Sequence, residues 1–303
     1  MLSLIICTYN RDKYIYSCLK SIAENNYDPE NYEVLLINNN STDKTEAECR
    51  RFQQDYPDIP YKYFMETNQG LSHARNRGIK EANGDILVFL DDDAFVGKEY
   101  LKNLQENIEK HPDWAAFGGK ITPVFENGKP PKWLSKWTYS WVSAIDMGKD
   151  VRLFEGEKYP TGANMGILKK TLEKVGNFNV KLGRSKKNLM GGEEKDIFNR
   201  IKNIGGKIYW FPNIKVQHVI PENRTTDSYI IRLGLGVGMS ERLRTLAISR
   251  VKYLNRIFFE ALKWSASMVL FAFYLLKLQP QKGSKLLLFR WNVTKGLLLG
   301  EQL

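Results

Sequence analysis

Five apolar residues in a row, Ile86-Leu87-Val88-Phe89-Leu90, stop abruptly at three acids, Asp91-Asp92-Asp93. An unbroken apolar run without alternation reads as a strand covered on both faces, as in a parallel sheet. Similar runs occupy residues 2–7 and 32–37, with a weaker one at 61–66. Between them the spacing becomes helical. Tyr14, Cys18, Leu19 and Ile22 share one face of residues 11–25, and Ser41-Thr42-Asp43 offers capping residues for the next helix. Residues 71–82 read as a third helix, broken at Gly84 before the strand that ends on the acids. This alternation predicts an α/β fold with a doubly wound, mostly parallel sheet.

Further along, the pattern predicts a helix over 100–110, a strand over 117–124 and a helix from near Gly192 to 204. Two short strands are expected at 207–211 and 215–219. Residues 126–159 are richer in Gly, Pro and Trp and read as an insertion over the site. After Pro221 the composition turns to long, basic, apolar helices, so a boundary is expected there: a domain of residues 1–220 and a helical tail of 221–303.

With 303 residues, 43% of them hydrophobic, the chain can build one large domain or two modest ones. Its net charge of +11 is uneven. From Ile230 to Leu303 twelve Lys or Arg face three Asp or Glu, leaving +9 in the tail. Such a tail suits an anionic membrane surface. No zinc-finger spacing or nucleic-acid signature accompanies it, so no nucleic-acid partner is expected. Cys7, Cys18 and Cys49 are odd in number and lack ligand spacing, which fits a reduced, cytoplasmic setting. The first strand meets polar residues at once, so no signal peptide is expected, and no stretch is expected to reach the length of a spanning helix. Residues 264–276 carry no charge between Lys263 and Lys277 and suit an interfacial helix. Contact with the inner face of the cell membrane through residues 257–295 is one reading of this tail; packing on protein is the other.

Three adjacent carboxylates repel one another unless a cation neutralises them, and their hard oxygens suit Mg²⁺ or Mn²⁺. A solvated acidic turn is the plain alternative. Placement at the carboxyl end of a buried strand, where open α/β sheets bind ligands, favours the metal.

Four loops follow strands at that edge: Thr8-Tyr9-Asn10-Arg11, Asn38-Asn39-Asn40-Ser41, residues 68–78, and the aspartates. Their content and order resemble family 2 glycosyltransferases, which have the GT-A fold. The matching residues are Cys7-Thr8-Tyr9-Asn10-Arg11, Ser41-Thr42-Asp43, Asn68-Gln69-Gly70, Ala74-Arg75-Asn76-Arg77-Gly78 and Phe89-Leu90-Asp91-Asp92-Asp93. Thr161-Gly162-Ala163-Asn164-Met165, Gly192-Glu193-Glu194 and Val216-Gln217-His218 continue the series. The likeness covers residues 1–220.

The resemblance implies a nucleotide-binding half (1–98) and an acceptor half (99–220). It implies metal-dependent transfer, with inversion, of a sugar from a nucleoside diphosphate to a hydroxyl acceptor, as in surface polysaccharide or glycolipid synthesis. A UDP-sugar is the favoured donor, and the acceptor is a candidate for lipid linkage. Asp93 is the implied metal ligand, with Asp91 on the metal's water shell or the ribose and Asp92 nearby. His218 matches a histidine near the pyrophosphate or metal; a satisfied strand-end histidine is the other reading. Glu194, with Glu193 before it, matches the pair whose second member removes the acceptor proton, although relatives usually carry Asp there. An ordinary acidic helix start would look the same.

Thr8, Tyr9 and Arg11 would line the nucleotide, and Arg75 would approach it or the pyrophosphate. Asn38 stands where relatives have an Asp that reads uracil. Gly162, Ala163 and Asn164 match the loop beneath sugar and acceptor. Trp133, Trp137 and Trp141 recur every four residues, so a helix would stack them as an acceptor wall, or against the core or a membrane interface. Two other functions remain open: a non-catalytic nucleotide-sugar-binding or assembly protein on the same fold, and a nucleotidyltransferase. The second would want a glycine-rich phosphate loop after the first strand, and Thr8-Tyr9-Asn10-Arg11-Asp12 has no glycine.

Overall fold

The apolar runs pair as their two-sided burial requires. The computed structural model describes residues 1–183 and 191–300. Strand β1 (Leu2–Thr8) leads to helix α1 (Ile15–Ala23), β2 (Tyr32–Asn38), α2 (Thr45–Asp55), β3 (Tyr61–Met65), α3 (Leu71–Glu81) and β4 (Ile86–Asp91). Every residue of β2 is buried. That burial needs helices on both faces, which the amphipathic α1, α2 and α3 supply. Strands β3-β2-β1-β4 are parallel neighbours, with Leu4 level with Val34 and Val88.

Beyond β4 the direction changes. The chain continues through β5 (Ala94–Val96), α4 (Tyr100–Lys110), β6 (Trp114–Phe125), β7 (Arg152–Leu153), β8 (Met165–Leu168), α5 (Lys169–Val175), α6 (Glu193–Asn203) and β9 (Lys207–Ile220). The sheet order is β3-β2-β1-β4-β8-β6-β9-β5, with β7 on β9. Strand β8 is antiparallel to both β4 and β6. The sheet is therefore mixed: a parallel half that ends its strands at one edge, and an antiparallel half. Two expectations change here. The short strands at 207–211 and 215–219 are one strand, β9, running through Pro212. The helix expected through Trp133, Trp137 and Trp141 does not form; a short 3₁₀ turn covers Tyr139–Val142.

One face of the sheet packs on Leu19, Phe52, Leu101 and Leu104, and the other on Ala74, Phe178, Ile197 and Ile201.

The chain divides into two compact units. The first is Met1–Pro123, Ser143–Val180 and Glu193–Val219, and the second is Val124–Val142, Lys181–Gly192 and Ile220–Leu303. The second unit is built on α7 (Asp227–Ile248), α8 (Arg250–Leu276) and α9 (Pro280–Leu299). Glycines set its packing: a Cβ at Gly234 would meet Asn292 and the Phe289 backbone, and one at Gly296 the Leu235 carbonyl, so α7 and α9 approach backbone to backbone. The expectation that nothing here has spanning length is corrected. Helix α8 runs for 27 residues and is long and apolar enough to cross a membrane, by length and composition. The charge-free stretch 264–276 is only its second half, because the helix starts earlier and continues through Lys263.

Candidate active site

Parallel register brings the strand ends level. Thr8 pairs with Asn38, and Cys7 with Asp91. The loops after these strands are then laced together. Ser41 Oγ accepts from the Asn10 N–H (2.9 Å), Asn10 Oδ1 from the Thr42 N–H (2.8 Å), and Thr45 Oγ1 from the Arg11 N–H (2.9 Å). Asn10 has φ of 52°, a left-handed turn that asparagine tolerates and a β-branched residue does not. This turn starts the chain toward the aspartates. Arg11 Nε lies 3.4 Å from Asp92, and its Nη2 lies 3.5 Å from Asp93. Burial works against the Arg11 charge, but Asp92, Asp93 and Asp91 outweigh it and raise its pKa.

The third partner arrives from far along the chain. Strand β5 begins directly after Asp93 and pairs antiparallel with β9, so Ala94 sits opposite His218. The Val219 N–H donates to the Asp93 carbonyl (2.9 Å). His218 is fully buried, with Nε2 2.9 Å from Asp93 Oδ1 and 4.0 Å from Asp91 Oδ2. Ligand atoms of Asp91, Asp93 and His218 all lie within 4.8 Å of one another. The short Nε2 contact lacks hydrogen-bond geometry, and neither ring nitrogen has a hydrogen-bond partner among the described residues. A buried imidazole is costly without a partner, so this orphaned ring aimed at two carboxylates fits a divalent cation. Burial pushes the Asp92 pKa up to about 7; Arg11 pulls it down, and Asp93 adds repulsion.

A second cluster forms at the start of α6. Gly192, at φ of 101°, turns the chain into the helix, and Glu193 and Glu194 open its first turn. Arg75, 2% exposed on α3, reaches both: Nη1 is 3.0 Å from Glu193 Oε1, and Nη2 is 3.1 Å from Glu194 Oε1. The Gly162 N–H donates to the same Glu194 oxygen (2.8 Å). A Cβ on Gly162 would collide with the Arg75 guanidinium and the Glu194 carboxylate, so any side chain there must displace both. Burial opposes the Arg75 charge, and Glu194, Glu193 and Asp91 outweigh it, raising the pKa. The field of Arg75 thus couples the acidic pair to the aspartate cluster. Of the two acids, Glu193 is nearly sealed, whereas the Glu194 side chain is 20% exposed. Cys7 lies in the field of Arg75 and Asp91, but burial pushes its thiol up to about 12, which removes it as a nucleophile.

Several expected contact residues are committed to the scaffold. Asn38 is fully buried, its Oδ1 accepting from the Ser41 N–H and its amide donating to the Tyr63 hydroxyl. Asn164 is also fully buried. Its Oδ1 accepts from the Tyr100 hydroxyl, and its amide donates to the Lys120 and Ile214 carbonyls. A sugar hydroxyl has no route to it. Ala163 belongs to the core, Thr8 is buried at the strand end, and Tyr9 is half-buried. Trp133 and Trp137 part company. Trp133 is buried, 5.6 Å from Trp141, with its indole N–H on the Thr225 carbonyl, whereas Trp137 is 48% exposed.

A comparison with known families settles what this edge belongs to. The model of glycosyl transferase family 2 matches residues 3–176. The chain is a member of that family. Among curated relatives of this family 2 chain, a glucosyl-dolichyl phosphate glucuronosyltransferase of Haloferax volcanii is 24% identical over 249 residues. That match covers 80% of this chain and 77% of the relative. A dolichyl N-acetyl-glucosaminyl phosphate diacetamido-dideoxy-glucuronosyltransferase of Methanococcus voltae is 34% identical over 130 residues, 42% of this chain and 40% of its own. Of solved structures, a mannosyltransferase of Pyrobaculum calidifontis in complex with GDP-mannose and Mn²⁺ superposes with a TM-score of 0.67 at 18% identity. It covers 99% of this chain and 88% of its own. TarS of Staphylococcus aureus with UDP-GlcNAc gives 0.57 at 16% identity, covering 97% and 90%. These likenesses establish the GT-A fold.

Within the family 2 site, two residues escaped the sequence reading. Asn39 donates to the Glu66 and Asn68 carbonyls and accepts from the Gly70 N–H, pinning the loop after β3 to the end of β2. Tyr63 holds Asn38. The run Asn38-Asn39-Asn40 was the available signal, since asparagines at a strand end satisfy loop backbone.

Proposed function

We propose that this chain transfers a sugar from a nucleoside diphosphate to a hydroxyl acceptor, with inversion at the anomeric carbon. The observation that carries the reading is the joining of two clusters at one sheet edge: Asp91, Asp93 and His218 on one side, Glu194 on the other, with Arg75 in the electrostatic reach of both. Asp91, Asp93 and His218 would hold Mn²⁺ or Mg²⁺. Bound there, the ion supplies positive charge for the departing diphosphate. Thr8, Tyr9, Arg11 and Asp92 would lie along the nucleoside. Arg11 pairs with the aspartates, so it keeps their charge in check as well as approaching the donor.

Glu194 removes the acceptor proton. It is the more exposed member of the pair, and Arg75 and the Gly162 N–H fix its carboxylate from one side. Those contacts hold it aimed, which a general base needs before the acceptor arrives. Glu193 anchors the other arm of the Arg75 guanidinium. Attack from the side of Glu194, opposite the diphosphate, inverts the anomeric centre.

A lipid-linked acceptor is favoured because the two archaeal relatives are named for dolichyl phosphate substrates. The three free cysteines agree with a cytoplasmic site. The test is release of nucleoside diphosphate from a panel of UDP- and GDP-sugars, with Mn²⁺ and with chelator. Glu194→Gln should lower turnover by about 10²- to 10⁴-fold while donor affinity holds. Turnover that survives chelation, or a Glu194→Gln enzyme as fast as the parent, would remove the mechanism.

A further inference from the structure

Helix α8 is built inside out. The residues it buries are Arg256, Glu260, Ser267 and Tyr274. Those it exposes include Phe258 (62%), Leu262 (51%) and Val269 (70%). A helix on a water-facing surface shows the reverse. The inward charges are satisfied within the bundle: Arg256 pairs with Glu241 of α7 (2.8 Å) and with Glu260 (2.8 Å), and Glu260 also with Arg290 of α9 (2.9 Å). The outward face therefore does not arise from a polar residue needing room outside. Val251, Leu254, Phe258, Leu262, Val269 and Leu276 follow helical spacing along one stripe. At 27 residues the helix carries that stripe for about 40 Å. A continuous apolar surface of this kind marks an interaction site.

We propose that α8 lies along an anionic membrane leaflet, with this stripe in the acyl boundary and its lysines at headgroup level. Three observations choose that occupant. The first is charge: residues 230–303 carry a net +9, which attracts anionic lipid and repels a second copy of the same face. The second is lysine placement. Lys252, Lys263 and Lys277 are eleven and fourteen residues apart, about three and four turns, so they line one flank of the helix beside the stripe. A flat helix keeps all three at the headgroups, whereas a spanning one would sink Lys263 into the hydrocarbon. The third is exposed Trp291 on α9, with Lys295 5.7 Å from its ring, a pairing suited to the lipid–water boundary. The inference stands on the face of α8 and does not depend on the transfer reaction.

The test is sedimentation of the full chain with vesicles of neutral phosphatidylcholine, and of the same lipid with 30% (about a third) phosphatidylglycerol. The parent should bind the anionic vesicles and release in high salt. Lys252→Gln, Lys263→Gln and Lys277→Gln together should weaken that binding about 100-fold, at roughly fivefold per lysine. Leu262→Asp with Val269→Asp should abolish it, while helical circular dichroism stays at the parent level. Binding that ignores either set of changes, equal binding to neutral vesicles, or a dimer in solution that stays off vesicles would each overturn the proposal. The lysine set keeps the test valid if the aspartate variant fails to fold.

Discussion

Replacing Arg75 by methionine isolates the energetic centre of the site. The guanidinium is 3% exposed and neutralises Glu193, whose side chain is 5% exposed, and part of Glu194, at 20%. Without it Glu193 becomes a buried charge with no ion-pair partner among the described residues. One of its oxygens, Oε2, already lacks a hydrogen-bond partner among the described residues. Breaking a buried pair from one side costs about 3–5 kcal/mol, whereas removing both charges costs far less. The expected outcome is therefore a loss of about 3–5 kcal/mol for Arg75→Met, of which Arg75→Met with Glu193→Gln recovers about half or more. Because the chain forms two compact units, one melting temperature would mix them. Amide hydrogen exchange on β1 and β4 reads the relevant unit. Turnover should fall about 100-fold in the single variant, since Glu194 loses one of the two groups that aim it. Additive effects of the two substitutions, or a single-variant cost below about 1 kcal/mol, would show that the pair is not the buried, coupled unit described.

Gly162→Ala should cut transfer about 100-fold while leaving nucleotide affinity by calorimetry near the parent's, because the new methyl displaces Arg75 and Glu194 rather than the aspartates. His218→Ala and Asp93→Asn should each weaken Mn²⁺ binding about 10-fold or more, read by paramagnetic resonance of the free ion without any turnover. Glu33, on β2, offers a stability test away from the site. Burial raises its pKa, but hydrogen bonds from Ser3, the Asn83 N–H and Lys62 outweigh that and hold it below its usual 4.5. Its stabilisation is thus full above the unfolded value and is lost as pH falls through the folded one. Glu33→Gln should lose about 1–3 kcal/mol at pH 7, and its stability should vary less with pH below about 4.5. Asn164→Leu should destabilise the fold by a similar amount and leave the KM for the donor unchanged, since its polar atoms all face protein.

The parallel half of the sheet was legible because two-sided burial leaves an unmistakable pattern: runs such as 86–90 have no polar residue to mark a wet face. The aspartates were legible for the same reason, as charges at the end of such a run. Strand β5 was not, because three residues directly after an acidic turn carry no periodicity of their own. Its existence depends on β9, more than a hundred residues later, and with it goes the placement of His218. The true length of α8 was hidden by counting uncharged residues, since its charges at 256 and 260 turn inward to partners on α7 and α9. Side-chain commitments were the least legible part. Asn38 and Asn164 look the same in sequence whether they face a ligand or a backbone carbonyl; only the fold shows that both are sealed.

Those commitments give physical sense to the two positions, 38 and 194, where the resemblance leads one to expect aspartate. An aspartate at 38 would be fully buried, and its side chain could not donate to Tyr63 as the amide does. Among the described residues, no cation is a hydrogen-bond partner of this position. Asparagine satisfies Ser41 on one side and Tyr63 on the other without a buried charge. The position therefore serves to hold the edge loops. Glutamate at 194 answers a different constraint. Its longer side chain brings one oxygen to both the Arg75 guanidinium and the Gly162 N–H, from the first turn of α6. An aspartate, one methylene shorter, would have to move the helix start to keep both contacts. Glu194→Asp should accordingly lose more turnover than Glu193→Asp, whose anchoring role tolerates displacement, and equal losses would count against assigning the proton transfer to Glu194.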